Sequence, residues 1–122
     1  MYQVSMILGI PSSDCANVIR LATDLEMDSN SAEMIDIKDD CCHTTSGKVQ
    51  CSIIEGSERV TFINWGRFNP GLNGFINGNA LPSSLTYLQL NQNAITGTLP
   101  VKWPQGMIHI EVNRIILVGD IL

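Results

Sequence analysis

LTYLQLNQNAITGTLP, residues Leu85 to Pro100, decides how the rest of the chain is read. Leu85, Leu88 and Leu90 point to one side of a short strand, and Asn93, Ile95, Gly97 and Leu99 follow at fixed offsets. Neither a plain strand nor a helix produces that pattern. It predicts a strand through Leu88 and Leu90, a bend at Asn93, and a return path that carries Ile95 and Leu99 inward. One such turn cannot bury its own apolar edge, so neighbours are required. Met107, Ile110, Val112, Leu117, Gly119 and Ile121 repeat the spacing about 22 residues later, and Val60, Ile63 and Trp65 anticipate it about 25 residues earlier. The expected fold is an α/β solenoid with a short parallel sheet on its concave side. It forms one continuous domain, in which residues 1–58 make an N-terminal segment and cap and residues 59–122 make about three turns.

Composition agrees with a folded chain. Of the 122 residues, 44% are apolar and 16% charged, which argues against disorder. No run approaches the ~20 apolar residues of a membrane helix. The opening MYQVSMILGI is mildly apolar but lacks a basic leader region, so it reads as a signal-peptide remnant or as a segment used in assembly. The net charge of −5 is unevenly spread. Residues 1–58 hold ten acids against Arg20, Lys38 and Lys48, whereas residues 59–122 hold Glu111 and Asp120 against Arg59, Arg67, Lys102 and Arg114. Without a concentrated basic patch, nucleic-acid binding is not expected. The two halves do permit one molecule's end to attract another's.

Within residues 1–58, SSDCANVIRLATDLEM predicts a helix capped by Ser12 or Ser13, with Asp14 in its first turn and Val18, Leu21, Ala22 and Leu25 on one face. Asp, Ser and Asn then break the period, and MIDI, Met34 to Ile37, reads as a short extended piece. All four cysteines, Cys15, Cys41, Cys42 and Cys51, precede the turns. Adjacent cysteines rarely bond each other, since a Cα separation of about 3.8 Å is below the usual disulfide range. Two pairings remain, of which local closure favours Cys42 with Cys51 and Cys15 with Cys41. A zinc site with His43 is the weaker alternative, because no CxxC spacing is present. Cysteines clustered in a cap suggest an oxidising compartment.

These residues carry a resemblance. A Cys-bearing amphipathic helix with Cys15, the pair Cys41 and Cys42, the spacing of Gly47, Val49 and Cys51, and Arg59–Val60 opening a strand are similar to the N-terminal cap of plant-type extracellular leucine-rich repeat proteins. LTYLQLNQNAITGTLP resembles that family's LxxLxLxxNxLxGxIP, and the likeness covers about residues 14–122. Trp103–Pro104, standing where the previous turn has Leu81–Pro82, resembles algal or protist surface repeats more than land-plant receptors. The resemblance implies disulfides Cys15–Cys41 and Cys42–Cys51, a secreted or surface-exposed protein, and recognition by a concave sheet. Three positions depart from it. His43 stands where the family has an aromatic residue, Ile115 replaces the Asn of the last turn, and two extra residues lie around Phe68, Asn69 and Pro70.

Catalysis has little support: His43 and His109 lie far apart in sequence, and neither adjoins a nucleophile in a recognisable motif. No cofactor and no metal are expected. Strand alternation instead assigns outward columns of Phe62, Tyr87 and His109, of Asn64, Gln89 and Glu111, and of Gly66, Asn91 and Asn113, followed by Arg67, Gln92 and Arg114. Rings beside amides and arginines suit a protein or carbohydrate partner. An assembly edge of Ile110, Val112, Leu117, Ile121 and Leu122 is also expected, because nothing polar caps the last turn. The expected function is a non-catalytic extracellular interaction module that self-assembles by stacking its last turn head-to-tail on a neighbour. The alternative is a ligand- or protein-recognition fragment of a longer receptor or enzyme inhibitor.

Overall fold

The structure, a computed structural model, describes residues 11–118. Helix α1 spans Asp14–Asp24. Ser13 is its N-cap without a side-chain bond, and Ser12 just before it accepts the Asp14 N–H with its Oγ at 3.2 Å and donates to the Glu58 carbonyl at 2.7 Å. The helix ends in a Schellman arrangement: Glu26 adopts φ 60° and donates to Thr23, while Met27 donates to Ala22. Val18, Leu21, Ala22 and Leu25 are fully buried, as their spacing predicts. MIDI is not extended. It belongs to helix α2, Ala32–Asp40, which Ser31 caps by accepting the Met34 N–H at 3.1 Å. Met34 and Ile37 are buried and Ile35 is exposed, an i, i+3 face that four residues of alternating polarity do not reveal.

Five strands follow, β1 Val49–Ile54, β2 Ser57–Asn64, β3 Tyr87–Asn91, β4 His109–Asn113 and β5 Ile115–Val118, in one sheet of order β1-β2-β3-β4-β5. β1 and β2 form a hairpin across Glu55 and Gly56, whose φ of 51° and 82° match a type I′ turn. β2, β3 and β4 are parallel, with Leu88 opposite Ile63 and Ile110. The connections between them carry one short 3-10 turn, Gly78–Ala80. β5 then returns antiparallel to β4, with Val112 opposite Ile115 and Ile110 opposite Leu117.

This mixed sheet with two helices corrects the expected solenoid of leucine-rich repeats. Only the middle three strands run parallel, both edges are antiparallel hairpins, and the last turn does not form. The reversal comes at Asn113, which adopts φ 54° two residues before the expected bend at Ile115. Its amide accepts the Ile95 N–H and donates to the Ile95 carbonyl, both at 3.0 Å. Ile110 and Leu117 face the same side whether the chain advances or turns back, so apolar spacing could not separate the two courses. The expected assembly edge changes too. Ile110 and Val112 are buried, Leu117 packs against the core, and β5 covers the side of β4 that was expected to be open. Residues 1–10, Gly119, Ile121 and Leu122, also assigned to assembly or to the last turn, lie outside the described residues.

The core sits between the sheet, the helices and the connections. Ile63, Trp65, Leu85, Leu88, Leu90 and Ile110 fill it from one side, the α1 face and Ile37 from the other. At its edge the buried Asp14 carboxylate accepts from Arg59 Nε at 2.8 Å, from Arg59 Nη2 at 3.3 Å, from the Val60 N–H at 3.0 Å and from Ser84 Oγ at 3.2 Å. Burial alone would raise the Asp14 pKa, but these donors and the Arg59 charge outweigh it and hold it below the ordinary carboxylate value.

Leu88→Ala should destabilise by about 2–5 kcal/mol in chemical denaturation, and Gln89→Ala, one residue away but outward, by under about 1 kcal/mol. Equal effects would overturn the strand register. Because the folded Asp14 pKa is depressed, its contribution is present above about pH 4, the ordinary carboxylate range, and disappears as pH falls through the folded value. Asp14→Asn should therefore cost about 1–3 kcal/mol at pH 7, with the gap to wild type closing in acid. A gap unchanged down to pH 2 would show that the carboxylate charge contributes nothing.

Candidate functional site

The in-register parallel strands bring the outward columns together on the face opposite the core. Phe62 lies opposite Tyr87 and Tyr87 opposite His109. Their rings stack, with centroids 4.8 and 4.5 Å apart and planes within 14° and 5° of parallel. Tyr87 is therefore stacked on both faces, and Phe62 and His109 on one face each. Gln50 of β1 lies opposite Phe62 and extends the row.

Polar ends on this face satisfy one another. Tyr87 Oη donates to Gln89 Oε1 at 2.9 Å, and Gln89 Nε2 donates to Asn91 Oδ1 at 3.0 Å. His109 Nε2 and Glu111 Oε1 are 2.8 Å apart. A Cβ at residue 66 would overlap Asn91 Oδ1, so Gly66 leaves room for that amide. Asn64 Oδ1 accepts the Gly66 N–H at 3.1 Å.

At the strand ends the expected face divides. Arg67, at φ 53°, lines a cleft of about 800 Å³ with Ile35, Asp36, Lys48 and Phe68. Arg114 lines a separate cleft of about 910 Å³ with Asn91, Glu111, Asn113, Ile115 and Ile116. The two arginines thus serve different hollows rather than one column. Sequence reasoning missed Ile116, which is 58% exposed and lies opposite Glu111 on the ring-bearing face. The only local signal for its place is Asn113, a residue tolerant of positive φ.

The cysteines form Cys15–Cys41 and Cys42–Cys51. Among the described residues, the one cluster with metal-ligand spacing is Cys15, Cys41 and Cys42, and disulfide bonding leaves it no thiolate to offer. The zinc alternative fails on that ground, and His43 is engaged elsewhere. Its Nδ1 is 3.0 Å from Asp40 Oδ2 and its Nε2 3.1 Å from Glu58 Oε2, which ties the end of α2 to β2. The hydrogen bond to Asp40 is the largest cause and raises its pKa; burial, next in size, opposes it, and the charges of Glu58 and Asp40 add to the rise. No helix of the described residues is long and apolar enough to cross a membrane.

No protein-family model, curated protein or solved structure matches the chain, so the family resemblance rests on its residue pattern alone.

The raised pKa of His43 means that its contribution is present below about pH 6.5 and is lost as pH rises through the folded value. His43→Gln should lower the denaturation midpoint at pH 5.5 and leave it unchanged at pH 9. The effect is small because the side chain is 59% exposed. A deficit that persists at pH 9 would mean that His43 acts through packing.

Proposed function

We propose that this chain is a non-catalytic interaction module whose exposed sheet face docks a protein outside the reducing interior of the cell. The observation that carries the reading is the stacked ladder of Phe62, Tyr87 and His109, flanked by Ile116 and by amides already bonded to one another. Aromatic edges beside an exposed aliphatic residue offer contact area, and preset polar ends reduce the ordering cost of binding. A carbohydrate partner is less well supported. Sugars stack on ring faces, and here both faces of Tyr87 and one face each of Phe62 and His109 are taken by neighbouring rings. Two disulfides are compatible with an extracellular or cell-surface location.

Self-association is the second reading, favoured by β5, an edge strand among the described residues, where Ile115 and Ile116 are 52% and 58% exposed. It differs from head-to-tail stacking on Ile110 and Val112, which are buried.

Affinity capture from extracellular extracts with wild-type protein, Tyr87→Ala and Ile116→Asp tests both readings. A partner held by the wild type should lose about fivefold or more in affinity with each variant, the effect expected of anchor residues, while Arg67→Ala stays near wild type. A partner indifferent to Tyr87 and Ile116 sinks the proposed face. Concentration-dependent sedimentation of wild type that Ile116→Asp abolishes would favour self-association instead.

A further inference from the structure

The two disulfides are neighbours in space as well as in sequence. The Sγ atoms of Cys15, Cys41 and Cys42 all lie within 4.8 Å of one another, although Cys42 is bonded to Cys51, which lies outside that cluster. Their exposures differ in a consequential way. Cys41 is fully buried and Cys15 nearly so, whereas Cys42 and Cys51 are both partly exposed. Cys51 sits on β1, an edge strand of the sheet, beside an irregularity in the pairing with β2 between Gln50 and Cys51. A thiol from solvent can therefore reach Cys42–Cys51 and cannot reach Cys15–Cys41 directly.

We propose that Cys51 is a modification site for low-molecular-weight thiols of the glutathione class, and that Cys42, released there, passes the exchange inward to the buried disulfide. In the first step the external thiolate attacks Cys51 Sγ. A mixed disulfide forms on Cys51, the Cys42–Cys51 bond breaks, and Cys42 leaves as a thiolate. In the second step Cys42 attacks Cys15 Sγ, the Cys15–Cys41 bond breaks, Cys15–Cys42 forms, and Cys41 leaves as a thiolate that takes a proton from water. Two disulfides and one thiol stand on each side, so no oxidant or reductant beyond the added thiol is needed. Attack on Cys41 is disfavoured because it would join adjacent residues only about 3.8 Å apart at Cα.

The exchange has an asymmetric outcome. The tether between α1 and the end of α2 survives, moved from Cys41 to Cys42, while β1 is released from its covalent link and carries the adduct. External thiol thus modifies the exposed hairpin without freeing the buried helix.

The test treats native wild-type protein with limiting reduced glutathione, quenches in acid, alkylates after denaturation and maps the disulfide-linked peptides. The expected product carries glutathione on Cys51, a Cys15–Cys42 link and an alkylated Cys41. It should accumulate to within about tenfold of the product that keeps Cys15–Cys41, since one protein disulfide is exchanged for another between sulfurs that already lie together. Cys51→Ser, which frees Cys42 from the outset and has no Cys51 thiol to carry an adduct, should interconvert Cys15–Cys41 and Cys15–Cys42 at a rate independent of protein concentration. Alkylation of Cys42 alone with Cys15–Cys41 fully retained, simultaneous loss of both disulfides, or no adduct on Cys51 each overturns the proposal, and the wild-type reaction decides even where Cys51→Ser does not fold.

Discussion

The buried Asp14 carboxylate is the constraint on which the arrangement of elements depends. Removing an ionised carboxylate from water costs several kcal/mol unless its oxygens are saturated with donors. Arg59, the Val60 amide and Ser84 supply them, and Arg59 Nη2 also donates to Ser83 Oγ at 2.9 Å. One charge thereby binds the first turn of α1, the middle of β2 and the loop that feeds β3. Ser84 Oγ shares its single proton between Asp14 and the Val60 carbonyl, the latter at 2.6 Å, so the opening of the parallel sheet is set beside the helix by hydrogen bonds rather than by apolar contact alone. At the far end of β2 a second buried carboxylate acts similarly. Glu33 accepts from Trp65 Nε1 at 2.9 Å and from Ser46 Oγ at 2.7 Å, which fixes α2 over the largest buried side chain.

Between these two points the connections are joined by a few backbone bonds, such as those from the Ala94 N–H to the Leu72 carbonyl at 2.9 Å and from the Thr96 N–H to the Gly74 carbonyl at 2.8 Å, and asparagine amides add to them. Asn93 donates from Nδ2 to the Trp65 and Leu90 carbonyls and accepts the Leu72 N–H at 2.9 Å, so one side chain links two successive passages of the chain. Asn113 does the same for Ile95 while its own backbone reverses direction. Asn113, in register with Asn91 of the neighbouring strand, stands where the chain turns back into β5. Buried backbone groups must find partners, and here side chains supply what neither helix nor sheet does.

The exposed face follows from the same registration. Parallel strands about 4.8 Å apart place equivalent residues at nearly the spacing of stacked rings, so Phe62, Tyr87 and His109 form a ladder without further adjustment. The ladder ends at β4 in the parallel sense, and β5 brings Ile116 in from the opposite direction. Recognition chemistry on this face is therefore a joint product of the parallel middle and the antiparallel edge. The disulfides of the protein lie at the other end of the sheet order, on β1 and the helices.

Local spacing by itself determined the face of α1, the inward set Ile63, Trp65, Leu88, Leu90, Ile110 and Val112, and the outward columns, because period and alternation are properties of the backbone that few contacts can override. The resemblance in the cysteine pattern also carried the observed disulfide pairing. Tertiary structure decided the rest. Four residues, MIDI, are too few to separate strand from helix until Ser31 caps them and Met34 and Ile37 find the core. The direction of the chain after Val112 was not legible either, since an advancing turn and a returning strand bury the same residues, and the choice lay in how the Asn113 amide met the backbone of Ile95. Ile116 joined the ring-bearing face for that reason alone, and Arg67 and Arg114 parted into separate clefts because the two ends of the parallel sheet border different neighbours.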